Sequence, residues 1–60
     1  MAKFIKVTEL MSGDVQFVNI EQIEMFDTRA NRIYLKSGND VVVKTEDAKK
    51  LIIYMQSNSI

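Results

Sequence analysis

Two short stretches of the chain, "LMSGDV" and "LKSGND", each place a Ser-Gly pair before an acidic or amide residue. A glycine beside hydroxyl and acidic groups can form a loop whose backbone N–H groups bind an anion. A phosphate-binding Walker loop, however, needs G-x-x-x-x-G-K-[ST], and a dinucleotide fingerprint needs G-x-G-x-x-G. Each stretch has a single glycine between two segments of strand-like pattern. We therefore interpret both stretches as turns and predict no cofactor.

Nucleophilic catalysis would need an unusual set of residues in this chain, because the sequence contains no His and no Cys. Ser12 or Ser37 would have to act with a Lys or a carboxylate as base. Both serines fall in the predicted turns, where serine is common for conformational reasons. We predict no catalytic residues and a protein that is not an enzyme, with a carboxylate site assembled between subunits as the remaining enzymatic alternative.

Acidic residues form two close groups, Glu21 with Glu24 and Glu46 with Asp47. Neither group matches a spaced metal-binding motif such as the EF-hand loop, and a zinc site made by Cys and His is excluded by composition. We expect the first pair to be solvated surface and the second to lie in the first turn of a helix, and we predict no metal site.

A basic strip provides a further candidate site. Arg32, Tyr34 and Lys36 alternate along one predicted strand and should project from one face, with Lys44 nearby. Basic groups around an aromatic ring can bind single-stranded nucleic acid. Eight basic residues balance eight acidic ones, however, and most nucleic-acid-binding domains carry a basic surplus. We keep nucleic-acid binding as the alternative function and do not favour it.

The first turn must join two strands. "KFIKVTEL" and "DVQFVN" both alternate between apolar and polar residues, which is typical of half-buried strands. A three-residue loop at 11–13, with Gly13 left-handed, gives a common hairpin. This register sets Leu10 opposite Asp14 and Val7 opposite Phe17. The shared inner face would then hold Ile5, Val7, Val15 and Phe17.

The second turn predicts a hairpin of the same kind. A three-residue loop at 36–38 sets Ile33 opposite Val41 and places Ile33, Leu35, Val41 and Val43 on one face. A two-residue turn at Gly38-Asn39 would put Lys44 opposite Ile33, and a slip of one residue reverses every side chain. We therefore predict the three-residue loop.

Between the hairpins, Asn19 can cap a single helical turn at "IEQ", and "IEMFDT" has the β-branched and aromatic residues of a strand. A partly helical conformation of 19–31 remains the alternative. At the other end, Thr45 can cap a helix whose first turn carries Glu46 and Asp47. Its core-facing stripe would be Ala48, Leu51, Ile52 and Met55. The tail "SNSI" should fray, although Ile60 could dock.

The predicted protein is one α+β domain over residues 1–60. It has a small curved antiparallel sheet of four to five strands, formed by the two three-residue-loop hairpins, and one C-terminal helix on one face of the sheet. We predict strands at about 4–10, 14–20, 23–28, 31–36 and 40–44 and a helix at about 46–57.

A chain of 60 residues forms a marginal core by itself, and this one has no disulfide or zinc to stabilise it. It is nevertheless 47% apolar. Apolar residues fall on the predicted outer face, namely Phe4, Val18, Ile20 and Val42, and beside the helix stripe, namely Ile53 and Tyr54. Exposed apolar surface usually marks an interface. We predict a homo-oligomer with Phe4, Ile53 and Tyr54 in its self-association interface; a tightly curled sheet and a heterologous protein partner are the alternatives.

The N-terminal "MAKFIKV" lacks the apolar region of a signal peptide, and the longest apolar run is "LIIYM". We therefore expect a cytoplasmic protein without a membrane span.

The chain also resembles the small FlbD/SwrD-type flagellar and swarming-motility proteins and related short bacterial and phage proteins. The matching residues are "IKVTEL", Gly13, "FVN", "IEQIE", "IYLKSG" and "VVVKTED", which together cover nearly the whole chain. The resemblance implies a non-enzymatic accessory protein of the bacterial cytoplasm that can form oligomers. It implies no catalytic residues.

Overall fold

The structure is a computed structural model that describes residues 3–58. It contains five strands, namely β1 (Phe4–Thr8), β2 (Val15–Asn19), β3 (Ile23–Asp27), β4 (Arg32–Leu35) and β5 (Asp40–Val42). A 3₁₀ turn at Ile20–Gln22 separates β2 from β3, and one helix, α1 (Thr45–Ser57), follows β5. The α+β class is confirmed. The predicted docking of Ile60 lies outside the described residues.

The strands form two antiparallel sheets rather than the single curved sheet that the sequence predicted. One sheet pairs β1 with β2, and the other has the order β3-β4-β5. An isolated bridge between Glu9 and Val43 joins the two sheets at one point. Beyond it the chain enters α1, so β1 and β5 pair no further. Strands β1 and β5 therefore pair at this bridge and not along their full length.

The second hairpin has the predicted register. Ile33 lies opposite Val41, and the N–H of Leu35 donates to the carbonyl of Asn39 at 2.8 Å. The loop therefore spans three residues, 36–38. Gly38 has a φ of +97°, a conformation that other residue types adopt with strain.

The first hairpin differs from the prediction by one residue. Val7 lies opposite Gln16 and not Phe17. The N–H of Glu9 donates to the carbonyl of Asp14 at 2.8 Å, so the loop has four residues, 10–13, and Gly13 at its end has a φ of +76°. The prediction of Leu10 opposite Asp14 was wrong.

Side-chain bonds account for the longer loop. The Ser12 hydroxyl donates to Oε1 of Glu9 at 2.5 Å and accepts from the N–H of Asp14 at 3.1 Å. The carbonyl of Glu9 also accepts from the N–H of Gly13 at 2.9 Å. These bonds span a helical turn of backbone, which needs one residue more than the predicted loop provides.

Because a shift of one residue moves side chains to the opposite face, each apolar residue of β2 faces the opposite way from the prediction. Val18 is buried, whereas Val15 and Phe17 are exposed. The predictions that Val18 faces outward and that Val15 and Phe17 belong to the core were therefore wrong. The core is shared by both sheets and the helix, and its buried side chains are Val7, Val18, Ile33, Val41, Val43, Ala48 and Leu51.

The two helical segments begin differently. Asn19 caps the 3₁₀ turn as predicted, its side-chain oxygen accepting from the N–H of Glu21 at 3.0 Å. Thr45, by contrast, is the first residue of α1, and the N-cap is Lys44, which makes no side-chain capping bond. Within the predicted stripe of α1, Ala48 and Leu51 are buried and Ile52 and Met55 are half-buried.

Candidate protein-binding surface

The outer face of the β1–β2 sheet carries exposed aromatic and aliphatic side chains. Residues directly opposite in an antiparallel pair share a face, so Phe4 and Asn19, Lys6 and Phe17, and Thr8 and Val15 all lie on this face. Phe4, Phe17 and Val15 are 60%, 69% and 53% exposed. Phe4 and Phe17 are diagonal neighbours, because Phe17 lies two positions along β2 from the residue opposite Phe4. We call the set Phe4, Val15 and Phe17 the apolar face.

A cleft of about 660 Å³ opens beside this face. Phe4 and the side chains of 16–19 on β2 line one wall, and Leu35, Ser37, Asp40 and Val41 from the β4–β5 hairpin line the other. Within residues 3–58, the Glu9–Val43 bridge is the one place where strands of the two sheets pair, which leaves room for this cleft between the β1–β2 and β4–β5 hairpins. The free edge of β2 therefore faces an open, largely apolar space.

Of the three predicted self-association residues, only Phe4 lies on this surface. Ile53 is 65% exposed and Tyr54 is half-buried, and both belong to the C-terminal half of α1. The neighbouring part of the helix, at Ile52 and Met55, lies beside β3 in a second cleft. The sequence reasoning missed Val15 and Phe17 because its register placed them in the core. The spacing of Glu9 and Ser12, which allows the bond that fixes the four-residue loop, was the available signal.

The predicted basic strip shares its face with carboxylates. Asp27 lies opposite Arg32, and Asp40 lies opposite Tyr34. The guanidinium of Arg32 donates to Oδ2 of Asp40 at 2.9 Å. Lys36 and Lys44 are exposed beyond the ends of β4 and β5. The strip is therefore mixed in charge, since one of its cations is already paired with an acid.

The two serines bond within their own turns, and Asp47 from the second acidic group bonds the backbone of β1. The hydroxyl of Ser12 bonds Glu9 and Asp14 in the first turn, and that of Ser37 accepts from the N–H of Asn39 at 3.5 Å in the second. Asp47 is half-buried, and its carboxylate accepts from the backbone N–H of Thr8 at 2.7 Å. Over residues 3–58, no group of three acidic side chains comes together in a way that could hold a metal ion.

No helix in the described part of the chain is long and apolar enough to cross a membrane. Comparisons of the sequence and fold with protein-family models, curated proteins and solved structures found no match. The FlbD/SwrD resemblance remains a prediction.

Proposed function

We propose that this protein is a non-catalytic interaction module that associates with itself and acts as an accessory or regulatory protein. The observation that carries the proposal is the apolar face, where two phenylalanines and a valine are each more than half exposed. Exposed apolar side chains that lie together usually mark a site of protein association. The bacterial or phage setting of the proposal rests on the FlbD/SwrD resemblance alone.

The size of the chain supports self-association. Domains near 60 residues are marginally stable alone, and such chains commonly gain stability from disulfides, metals or oligomerisation. This chain has no Cys and no His, which excludes disulfides and zinc sites made by Cys and His, and self-association is the route that we propose. Its formal net charge of zero means that two copies approach without net repulsion.

The exposed area suggests the strength of the association. A phenylalanine buries about 200 Å² when fully covered, and the exposed fractions of Phe4 and Phe17 leave well over half of that area in water. With Val15 included, two such faces expose roughly 700 Å² in total, which is below the roughly 1,200 Å² at which standard specific interfaces begin and is typical of weak, transient contacts. We therefore expect association in the micromolar range.

The test is sedimentation equilibrium from about 5 to 500 μM, a range that brackets micromolar dissociation constants. Three forms are compared: wild type, Phe17→Lys on the apolar face, and Ile53→Lys on the exposed flank of α1. The two variants add the same charge at similarly exposed positions, so Ile53→Lys is the matched control. Circular dichroism checks that each variant folds.

We expect wild type to form dimers or larger species, Phe17→Lys to raise the dissociation constant at least about tenfold, or 1.4 kcal/mol, and Ile53→Lys to behave as wild type. A folded wild-type monomer at every concentration would overturn the proposal. If Ile53→Lys dissociates the protein and Phe17→Lys does not, the contact lies on the flank of α1 and not on the apolar face.

A further inference from the structure

The two outermost strands of the fold differ in how they present their free edges. When the Glu9–Val43 bridge is included, the strand order is β2-β1-β5-β4-β3, so β2 and β3 are the edge strands. Exposed strand edges are templates for pairing with another chain, and proteins commonly block them with charges, prolines or bulges.

Strand β3 is blocked in two of these ways. Its pairing with β4 shifts register between Ile23 and Met25, which marks a bulge. It also carries two charges, on Glu24 and Asp27. Strand β2, "VQFVN", contains no charged residue and no proline, and it pairs with β1 in one continuous register. Of the two edges, only that of β2 lacks these blocking devices.

The hydrogen-bond pattern shows which groups the β2 edge offers. In an antiparallel ladder, alternate residues direct their N–H and C=O groups toward the same neighbour. The N–H of Glu9 bonds the carbonyl of Asp14, and the N–H of Ile20 bonds the carbonyl of Lys3. Even-numbered residues of β2 therefore bond to β1. The N–H and C=O groups of Val15 and Phe17 and the N–H of Asn19 point to the free edge and the cleft. The carbonyl of Asn19 is used at the start of the 3₁₀ turn that this residue caps.

From this geometry we propose that the self-association inferred above occurs by antiparallel pairing of β2 with β2 of a second copy, across a two-fold axis at Phe17. This inference rests on the proposed function. The register sets Phe17 opposite Phe17 of the second copy and Val15 opposite Asn19. Each residue that directs backbone groups to the free edge then lies opposite another such residue. Because the carbonyl of Asn19 is used in the 3₁₀ turn of each copy, the ladder contains four inter-copy backbone hydrogen bonds: two between the Phe17 residues, and one from each Asn19 N–H to the Val15 carbonyl of the other copy.

The charges favour a second copy as the occupant of the edge. Within the paired strands there is no charge to repel or to desolvate. Lys6, next to Phe17 on β1, is separated from its counterpart by three strand spacings, about 14 Å, which exceeds the Debye length of about 8 Å at physiological salt. Asp14 directly precedes β2 and Lys3 directly precedes β1, so the antiparallel pairing brings Asp14 of one copy and Lys3 of the other to the same end of the combined sheet. The arrangement thus brings unlike charges to the same end of the sheet and keeps like charges apart.

The first test uses the wild-type protein and amide hydrogen exchange measured by NMR at low and high concentration. The N–H groups of Phe17 and Asn19 should exchange at least about tenfold more slowly when the protein is associated, because only then are they hydrogen-bonded. Those of Gln16 and Val18 bond to β1 in either state, so they provide the internal control.

The second test uses single cysteines, which are unique thiols because the natural chain has no Cys. Phe17→Cys lies on the two-fold axis, where opposed Cα atoms are about 5.5 Å apart, a separation that a disulfide spans. Val15→Cys is the matched control, because its counterpart is four residues further along the ladder, about 14 Å away. Oxidation should give a covalent dimer with Phe17→Cys at a rate at least about tenfold above Val15→Cys.

The outcomes separate the two proposals. If sedimentation shows association and the exchange of Phe17 and Asn19 does not depend on concentration, edge pairing is overturned and self-association stands. Equal cross-linking of both cysteine variants overturns the register centred on Phe17. A wild-type protein that stays monomeric overturns both. If these amides gain protection only when a different protein is added, the occupant is a heterologous strand and the proposal of a second copy fails.

Discussion

The carboxylate of Asp47, in the first turn of α1, accepts a hydrogen bond from the backbone N–H of Thr8 at 2.7 Å. The N–H of Lys44 donates to the carbonyl of the same threonine at 3.1 Å. The helix start therefore occupies the backbone groups of the last residue of β1. This contact ties α1 to the first sheet and ends the pairing of β1 with β5.

We expect Asp47→Ala to lower the free energy of unfolding by about 1.5–3 kcal/mol, because it removes a hydrogen bond to a charged group and leaves the N–H of Thr8 without that partner. Glu46→Ala is the control: this exposed neighbour also lies near the helix N-terminus, so its loss should lower stability only by about 0.3–1 kcal/mol. Urea unfolding followed by circular dichroism measures both. Equal effects of the two substitutions would show that Asp47 acts through the helix dipole alone.

Gly38 closes the second hairpin at a φ of +97°. A Cβ built there meets no atom within 4 Å, so substitution would strain the backbone without a clash. We expect Gly38→Ala to destabilise the protein by about 1 kcal/mol, within the range for strained backbone conformations. Gly38→Asn should be less damaging, since Asn tolerates the left-handed region better than other residues. Thermal unfolding of the two variants is the measurement, and an Asn variant less stable than the Ala variant would contradict this reasoning.

Leu51 is fully buried in the shared core, whereas Ile53 on the same helix is 65% exposed. We expect Leu51→Ala to cost about 2–5 kcal/mol, from lost burial and the resulting cavity. Such a loss is comparable with the whole stability of a domain this small, roughly 0.05–0.15 kcal/mol per residue. Ile53→Ala should change stability by less than about 0.5 kcal/mol, as is usual for exposed positions. Thermal and urea unfolding compare them at one concentration, and similar losses from both variants would mean that Ile53 is covered in solution.

The basic strip should not bind nucleic acid, because Asp27 and Asp40 share its face and Asp40 pairs with Arg32. We expect no change in fluorescence anisotropy when mixed single-stranded oligonucleotides are titrated at low salt. The double substitution Asp27→Asn and Asp40→Asn should expose the positive charge and give weak, salt-sensitive binding. Wild-type binding that weakens steeply with salt would instead support the nucleic-acid alternative.

The second hairpin was predictable because two independent signals in the sequence agree. "LKSGND" offers a glycine at the position that needs a positive φ, and only the three-residue loop keeps Lys44 away from the position opposite Ile33. Local turn chemistry and the apolar pattern therefore select the same register, which the structure has.

The first hairpin was not predictable in the same way, because β2 is apolar on both faces. In "VQFVN", either Val15 with Phe17 or Val18 can be placed toward the core. The choice depends on the bonds of Ser12 to Glu9 and Asp14. These bonds lengthen the loop by one residue. This difference of one loop residue decides which face of β2 is exposed. The shorter predicted loop turns Phe17 toward the interior, whereas the observed loop exposes it.

The α+β class followed from the alternation of the strands and the helical stripe of Ala48 and Leu51. The division into two sheets did not. It depends on where the helix begins, and the structure starts α1 at Thr45, the residue predicted to cap it. Lys44 is thus the last residue of this segment whose backbone pairs with β1.

The bulge and the charges of β3 determine how far an assembly could grow. A fold with two open edges would add copies at both ends and could extend into a filament. Here, pairing through β2 uses the open edge of each copy and leaves β3, with Glu24 and Asp27, at both ends of the combined structure. A two-fold contact of this kind is closed by its own symmetry. Because the blocked β3 edges cannot add a further copy, the assembly would then contain two copies.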